Sequence, residues 1–89
     1  MKKGASFLPQ VCKILGYIIF FWSREENEPV HVHACKGKPH KDATTIWMEE
    51  VPRLEHNKSE IPAHDLSRIM QWLAVNRDFV ISKWNEHFD

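Results

Sequence analysis

A chain of 89 residues has room for one domain with a modest core. Hydrophobic residues make up 43% of it, with four Trp and five Phe, which excludes a disordered polymer. Twelve basic and twelve acidic residues cancel, so the global charge signature of a nucleic-acid binder is missing. The two halves are unequal, however. Residues 1–41 hold seven Lys/Arg against three Glu, and residues 42–89 hold five Lys/Arg against nine Asp/Glu. Such a dipole can orient a partner or pair two copies, although scattered solvated surface is the plainer reading.

Residues 1–9 read as a loose arm, with Phe7 and Leu8 as its apolar residues. Residues 10–88 then read as a single α+β domain. Val11 to Leu15 forms the first strand, and Gly16 offers a turn. Tyr17 to Trp22 is the strongest strand in the chain, β-branched and aromatic throughout. Both of its faces are apolar, which calls for cover on both sides. Ser23 to Pro29 is a charged loop. A strand with two histidines follows, then a turn at Lys36 to Pro39, then a fourth strand from Thr44 to Glu49. Val51 to Ile61 reads as an irregular, charged connection.

Pro62 suits the first helical position, and Asp65 suits the positive end of a helix. Leu66, Ile69, Met70, Leu73, Val80, Ile81 and Trp84 recur at helical spacing. One amphipathic helix to about His87 is expected, bent near Asn76. The fold class is therefore α+β: an antiparallel meander of three to four strands packed against one long C-terminal helix. The uncovered sheet face would keep some of Ile18, Phe20, Trp22 and Trp47, as an apolar patch suited to a dimer or a partner.

The chemistry centres on Asn27-Glu28-Pro29-Val30-His31-Val32-His33-Ala34-Cys35. Alternate residues of a strand share a face, so His31, His33 and Cys35 project together. Two imidazoles and a thiol are donors for zinc or another divalent transition metal. The same imidazoles can move protons near neutral pH. The competing reading is a polar strand face that supports the fold. Glu28 or Glu49 would add a carboxylate, and Arg24 or Lys36 a phosphate contact. In the plainer reading these four are solvated charges. His40, His56, His64 and His87 are scattered and read as surface. No Gly-rich phosphate loop, Cys-x-x-Cys pair or nucleophile elbow occurs.

Two cysteines are too few for a disulfide framework, although a Cys12–Cys35 bridge stays open. The start Met1-Lys2-Lys3 is not followed by a long apolar run, and Tyr17 to Trp22 is far short of the roughly 20 residues that span a bilayer. A cytoplasmic protein with reduced cysteines and no membrane partner is the expectation.

Several of these residues form a recurring set. Gly16-Tyr17-x-Ile19-x-Phe21 precedes Asn27-Glu28-Pro29-x-His31-x-His33, then Lys36-Gly37, Ile46-Trp47-x-Glu49 and Trp84-Asn85-Glu86-x-Phe88. The set resembles the small bacterial family called domain of unknown function 4160, over about residues 10–88. The resemblance implies a cytoplasmic module with a protein partner, of the kind found in predicted toxin–antitoxin pairs. It implies no reaction. The segments Lys36 to Lys41 and Val51 to Ile61 are more charged than the family pattern.

Three functions follow as expectations. The first is an interaction component of a toxin–antitoxin-like pair, binding a protein partner or a second copy of itself. The second is a metal-dependent or His-based hydrolase or nuclease using His31 and His33, with Glu28 as carboxylate and Cys35 as a third metal ligand. The third, less favoured by the zero net charge, is a nucleic-acid binder that stacks bases on Trp22 or Trp47.

Overall fold

The computed structural model describes residues 10–22 and 27–88. The expected arm at 1–9 and the expected phosphate contact Arg24 lie outside the described residues. Five strands run in chain order: β1 (Gln10–Ile14), β2 (Tyr17–Phe20), β3 (His31–Lys36), β4 (Thr44–Trp47) and β5 (Arg53–His56). They form one antiparallel sheet in the order β1-β2-β3-β4-β5. Two helices follow, α1 (Ala63–Val75) and α2 (Arg77–Phe88). The α+β class and the meander match expectation, but the sheet has five strands and the helical region is divided in two.

The extra strand is β5, which falls in the segment expected to be irregular. Three of its four residues are exposed, so it carries no apolar alternation for a sequence pattern to reveal. It is held by its neighbour instead. Ile46 pairs with Leu54 and Trp47 with Arg53, while the register shifts around Glu55. That shift brings the Glu55 carboxylate to 2.7 Å from Trp47 Nε1, which donates to it. Charges along an exposed edge also discourage pairing with other chains.

The helical break has a local cause at Asn76. Its backbone N–H and its side-chain Nδ2 both donate to the Trp72 carbonyl, each at 2.9 Å. A side chain that competes for a helical carbonyl weakens the regular path. The i to i−4 bonding nevertheless continues across the break, from Val80 N to Asn76 O at 3.1 Å. Pro62 stands just before the helix as its N-cap, not at its first position, and Leu66 N donates to the Pro62 carbonyl.

Period-two alternation sorts the sheet into two faces. Ile19, Val32, Ala34 and Ile46 join Ile69, Leu73, Val80 and Trp84 of the helices in the main core. A bulge at Val11, where Gln10 pairs with Phe20 but Cys12 with Ile19, turns Val11 into the same core as Cys12. Each fully buried Leu or Ile contributes about 1.5–3 kcal/mol of apolar transfer. Ile18, Phe20, Cys35 and Ala43 form a second cluster, with Trp22 against it. Phe20 and Cys35 are fully buried there and Trp22 half-buried, so the described residues do not present the open apolar patch expected on this side. Part of the reason is the loop after β3, which folds back so that Cys35 Sγ meets the Lys38 carbonyl at 3.3 Å. No helix of the described residues is long and apolar enough to cross a membrane.

Candidate functional site

The third strand places His31 and His33 on one face, as alternation requires. Their neighbours were not readable from the strand itself. Register sets His33 between Phe20 of β2 and Thr45 of β4, and His31 opposite Trp47. The two imidazoles meet edge to face, with centroids 5.0 Å apart and planes at 88°. Trp47 lies 4.9 Å from His31, and Trp84 of α2 lies 5.4 Å from it. Phe20 and Trp22 lie 5.5 and 6.2 Å from His33. The pair therefore sits inside an aromatic cluster, and only 2% of His31 and 8% of His33 is exposed.

Hydrogen bonds assign the ring protons. His31 Nδ1 is 2.8 Å from the Pro29 carbonyl, which can only accept, so Nδ1 carries a hydrogen. Its Nε2 is 3.5 Å from a Glu28 carboxylate oxygen, on a residue half open to solvent. His33 Nδ1 is 3.0 Å from Thr45 Oγ1. Thr45 donates its hydroxyl to the Ala43 carbonyl at 3.4 Å, which leaves its oxygen to accept from His33. In both imidazoles Nδ1 is thus committed to holding the ring, the arrangement that fixes a tautomer in catalytic and ligating histidines alike.

Cys35 follows on the same face but is fully buried. Burial pushes its thiol up from its ordinary range, and a backbone hydrogen bond at His40 pulls the other way. Thiolate formation, which metal ligation requires, is opposed there. Among the described residues, no group of three or more His, Cys, Asp or Glu side chains is arranged to hold a metal ion. His31, His33 and Cys35 share a strand face without forming such a group.

The other expected site residues lie apart. Lys36 is at the far end of β3, roughly 16 Å of strand from His31, with its ammonium 5.2 Å from the Tyr17 ring centroid. Glu49 is taken by Arg53, whose Nε and Nη2 donate to it at 3.1 and 2.9 Å. Those bonds hold the Glu49 carboxyl below its ordinary range. His40 Nδ1 and His56 Nδ1 accept from the backbone N–H groups of Asp42 and Lys58. His87 packs 5.6 Å from Phe21. Among the described residues, only Glu28 of these joins the histidines.

Sequence reasoning missed Trp84 as a wall of this cluster and Asp65 as the acceptor of Tyr17. The helical stripe and the closing Trp-Asn-Glu-x-Phe set both include Trp84, but neither gives its contact with His31.

The fold and the cluster define a small α+β protein with a five-stranded meander, two C-terminal helices on one face, and a His-x-His strand packed among aromatic rings. The family model described as domain of unknown function (DUF4160) matches residues 16–85, and the chain belongs to that family. The comparisons with curated proteins and with solved structures gave no match.

Proposed function

We propose that this protein is a cytoplasmic interaction component of a toxin–antitoxin-like pair, with the His-x-His strand serving as part of its rigid frame. The observation that carries this reading is the burial of both imidazoles, with each Nδ1 given to an internal acceptor. Groups so enclosed are better placed to hold β3 against its neighbours than to meet a substrate. Small size and opposed half-charges support a docking role.

The test is co-expression with the product of any short reading frame adjacent to its own. The expected result is growth arrest by one member alone, relief by the pair, and a complex that survives purification. The His31→Ala/His33→Ala double variant should keep binding in proportion to the fraction that remains folded. No growth effect and no complex would sink the reading.

One observation favours a second reading, a His-based or metal-dependent hydrolase or nuclease. Glu28 stands 3.5 Å from His31 Nε2, and the Pro29 carbonyl orients the ring from the other side. A carboxylate, an oriented imidazole and a nearby second imidazole are components of general acid–base catalysis. His31 and His33 would be the ligands if zinc or a similar ion bound, while Lys36, at the far end of β3, lies too far away to share a phosphate with them. Native mass spectrometry with and without zinc separates the cases: one tight ion per chain, lost in the double variant, selects the metal reading. RNA binding that weakens steeply with salt would select the nucleic-acid reading instead.

A further inference from the structure

The end of β3 carries Lys36 away from the histidines, and the fold gives it another setting. Tyr17 and Lys36 are register partners across β2 and β3, so their side chains stand on the same sheet face. The Lys36 ammonium lies 5.2 Å from the Tyr17 ring centroid. The connection from β5 to α1 closes in beside them. Tyr17, Lys36, Ser59, Glu60, Ile61 and Asp65 are among the residues that line the resulting recess of about 250 Å³.

Its wall is fixed by internal hydrogen bonds. Asn57 Oδ1 accepts from Thr44 Oγ1 at 2.6 Å and from the Ile61 N–H at 3.0 Å. Asn57 Nδ2 donates to the Ile61 carbonyl at 3.0 Å, and Ser59 Oγ donates to the Asp42 carbonyl at 3.0 Å. The Glu60 N–H donates back to the Asn57 carbonyl at 2.9 Å, closing a turn that holds Glu60 at a φ of 56°. That left-handed region is uncommon outside glycine and persists where the surroundings enforce it. Tyr17 and Ile61, both buried, give the recess an apolar side. A wall tied in this way has little freedom to lose when a small molecule binds.

The charges of the recess specify its occupant. Asp65 gives Oδ2 to the Tyr17 hydroxyl at 2.8 Å, and nothing among the described residues engages Oδ1. Lys36 has no ion pair among the described residues, although its cation lines the same small space as the Asp65 anion. Opposite charges that share a recess without pairing are complementary to a molecule that carries both signs. Glu60 adds a second carboxylate to the lining, which favours the ammonium end of such a molecule. The volume sets the size, since it matches about eight waters at roughly 30 Å³ each. Glycine, alanine or serine fits that room, and a nucleotide does not.

We propose that this recess binds a small free α-amino acid. Its carboxylate meets the Lys36 ammonium, its ammonium meets Asp65 Oδ1, and its carbon skeleton lies against Tyr17 and Ile61. This site is independent of the His-x-His strand readings, because Lys36 stands roughly 16 Å of strand from His31.

NMR titration of the full isotope-labelled chain tests this, with glycine, L-alanine and L-serine as probes, each raised to tens of millimolar. The amide signals of Lys36, Ser59, Glu60, Ile61 and Asp65 should shift and saturate together. Acetate and methylammonium, which carry one charge each, should bind at least about tenfold more weakly. Lys36→Met and Asp65→Asn should each weaken amino-acid binding by about tenfold or more. Both variants should keep the fold, because Lys36 is exposed and an amide oxygen at position 65 still accepts from Tyr17. If Asp65→Asn unfolds, Lys36→Met alone decides. Absence of saturable shifts with all three amino acids overturns the proposal. So does acetate binding as tightly as glycine, which would leave only an anion contact at Lys36. A folded variant that titrates like the wild type overturns it too, since the two-ended contact would not be formed.

Discussion

Tyr17 donates its hydroxyl to the Asp65 carboxylate over 2.8 Å, across 48 residues of sequence. One bond thereby fastens the start of β2 to the first turn of α1. Tyr17 is only 3% exposed, so its hydroxyl has little access to water in exchange. Hydrogen bonds to charged acceptors contribute about 1.5–3 kcal/mol. Tyr17→Phe should lower the unfolding free energy by about that amount and leave the fold intact, as read from urea titration. An unchanged midpoint would show that the bond contributes nothing net.

The same contact predicts a pH dependence. Burial first, then the hydrogen bond and negative charge of Asp65, push the Tyr17 phenol up from its ordinary value. The unfolded phenol therefore loses its proton before the folded one does. The contribution is complete below about pH 10, the unfolded value. It is lost as pH rises from there toward the folded value. Wild-type stability should fall more steeply above about pH 10 than that of Tyr17→Phe. Parallel curves for the two proteins would contradict this.

Cys12 and Cys35 should resist both pairing and alkylation. Cys12 pairs with Ile19 and Cys35 with Ile18, so they flank β2 on opposite sheet faces. Two strand spacings, about 9.6 Å, separate their backbones, beyond the roughly 7 Å limit for a disulfide. Burial pushes the Cys12 thiol up to about 11 and raises that of Cys35 as well. Iodoacetamide at pH 8 should label the native protein far more slowly than the urea-unfolded one, which takes up two adducts. Rapid native labelling would mean that the thiols open to solvent.

Much of this architecture was legible in the residues. Tyr17 to Phe20 and His31 to Cys35 announce strands by β-branching and alternation, and Ile69, Leu73, Val80 and Trp84 announce a helical stripe. All of these signals are local and rest on burial. The misses share the opposite property. Arg53 to His56 lies on an exposed edge, and only its pairing with Ile46 and Trp47 makes it a strand. The candidate site divided in the same way. Alternation put His31 and His33 on one face, and strand rise alone separates Lys36 from them, but the Trp84 contact and the Thr45 acceptor are set by distant segments.

Replacing both imidazoles should cost stability before it costs anything else. His31 and His33 fill space between Phe20, Trp47 and Trp84, so truncation leaves a cavity and strips the rings of their contacts. Deleting large buried side chains costs about 2–5 kcal/mol at a single site. The double alanine variant should therefore sit close to its unfolding threshold. His33→Gln tests a narrower point, since it offers Thr45 an amide donor in place of Nδ1 and should retain more stability than His33→Ala. If the two single variants unfold at the same urea concentration, the Thr45 hydrogen bond is not what holds His33.

Asn76 offers the last test, because its expected effect runs the other way. Its side chain shares the Trp72 carbonyl with its own backbone N–H, and the helical bonds continue on either side. Asn is also less favourable than Ala in a helix interior by up to about 0.7 kcal/mol. Asn76→Ala should then join α1 and α2 more regularly, raise helical circular dichroism, and change stability by less than about 1 kcal/mol. Gain of helix with a large loss of stability would mean that the bend itself is required. In that case straightening the helix would pull Val80 and Trp84 from the core that Ile69 and Leu73 share with the sheet.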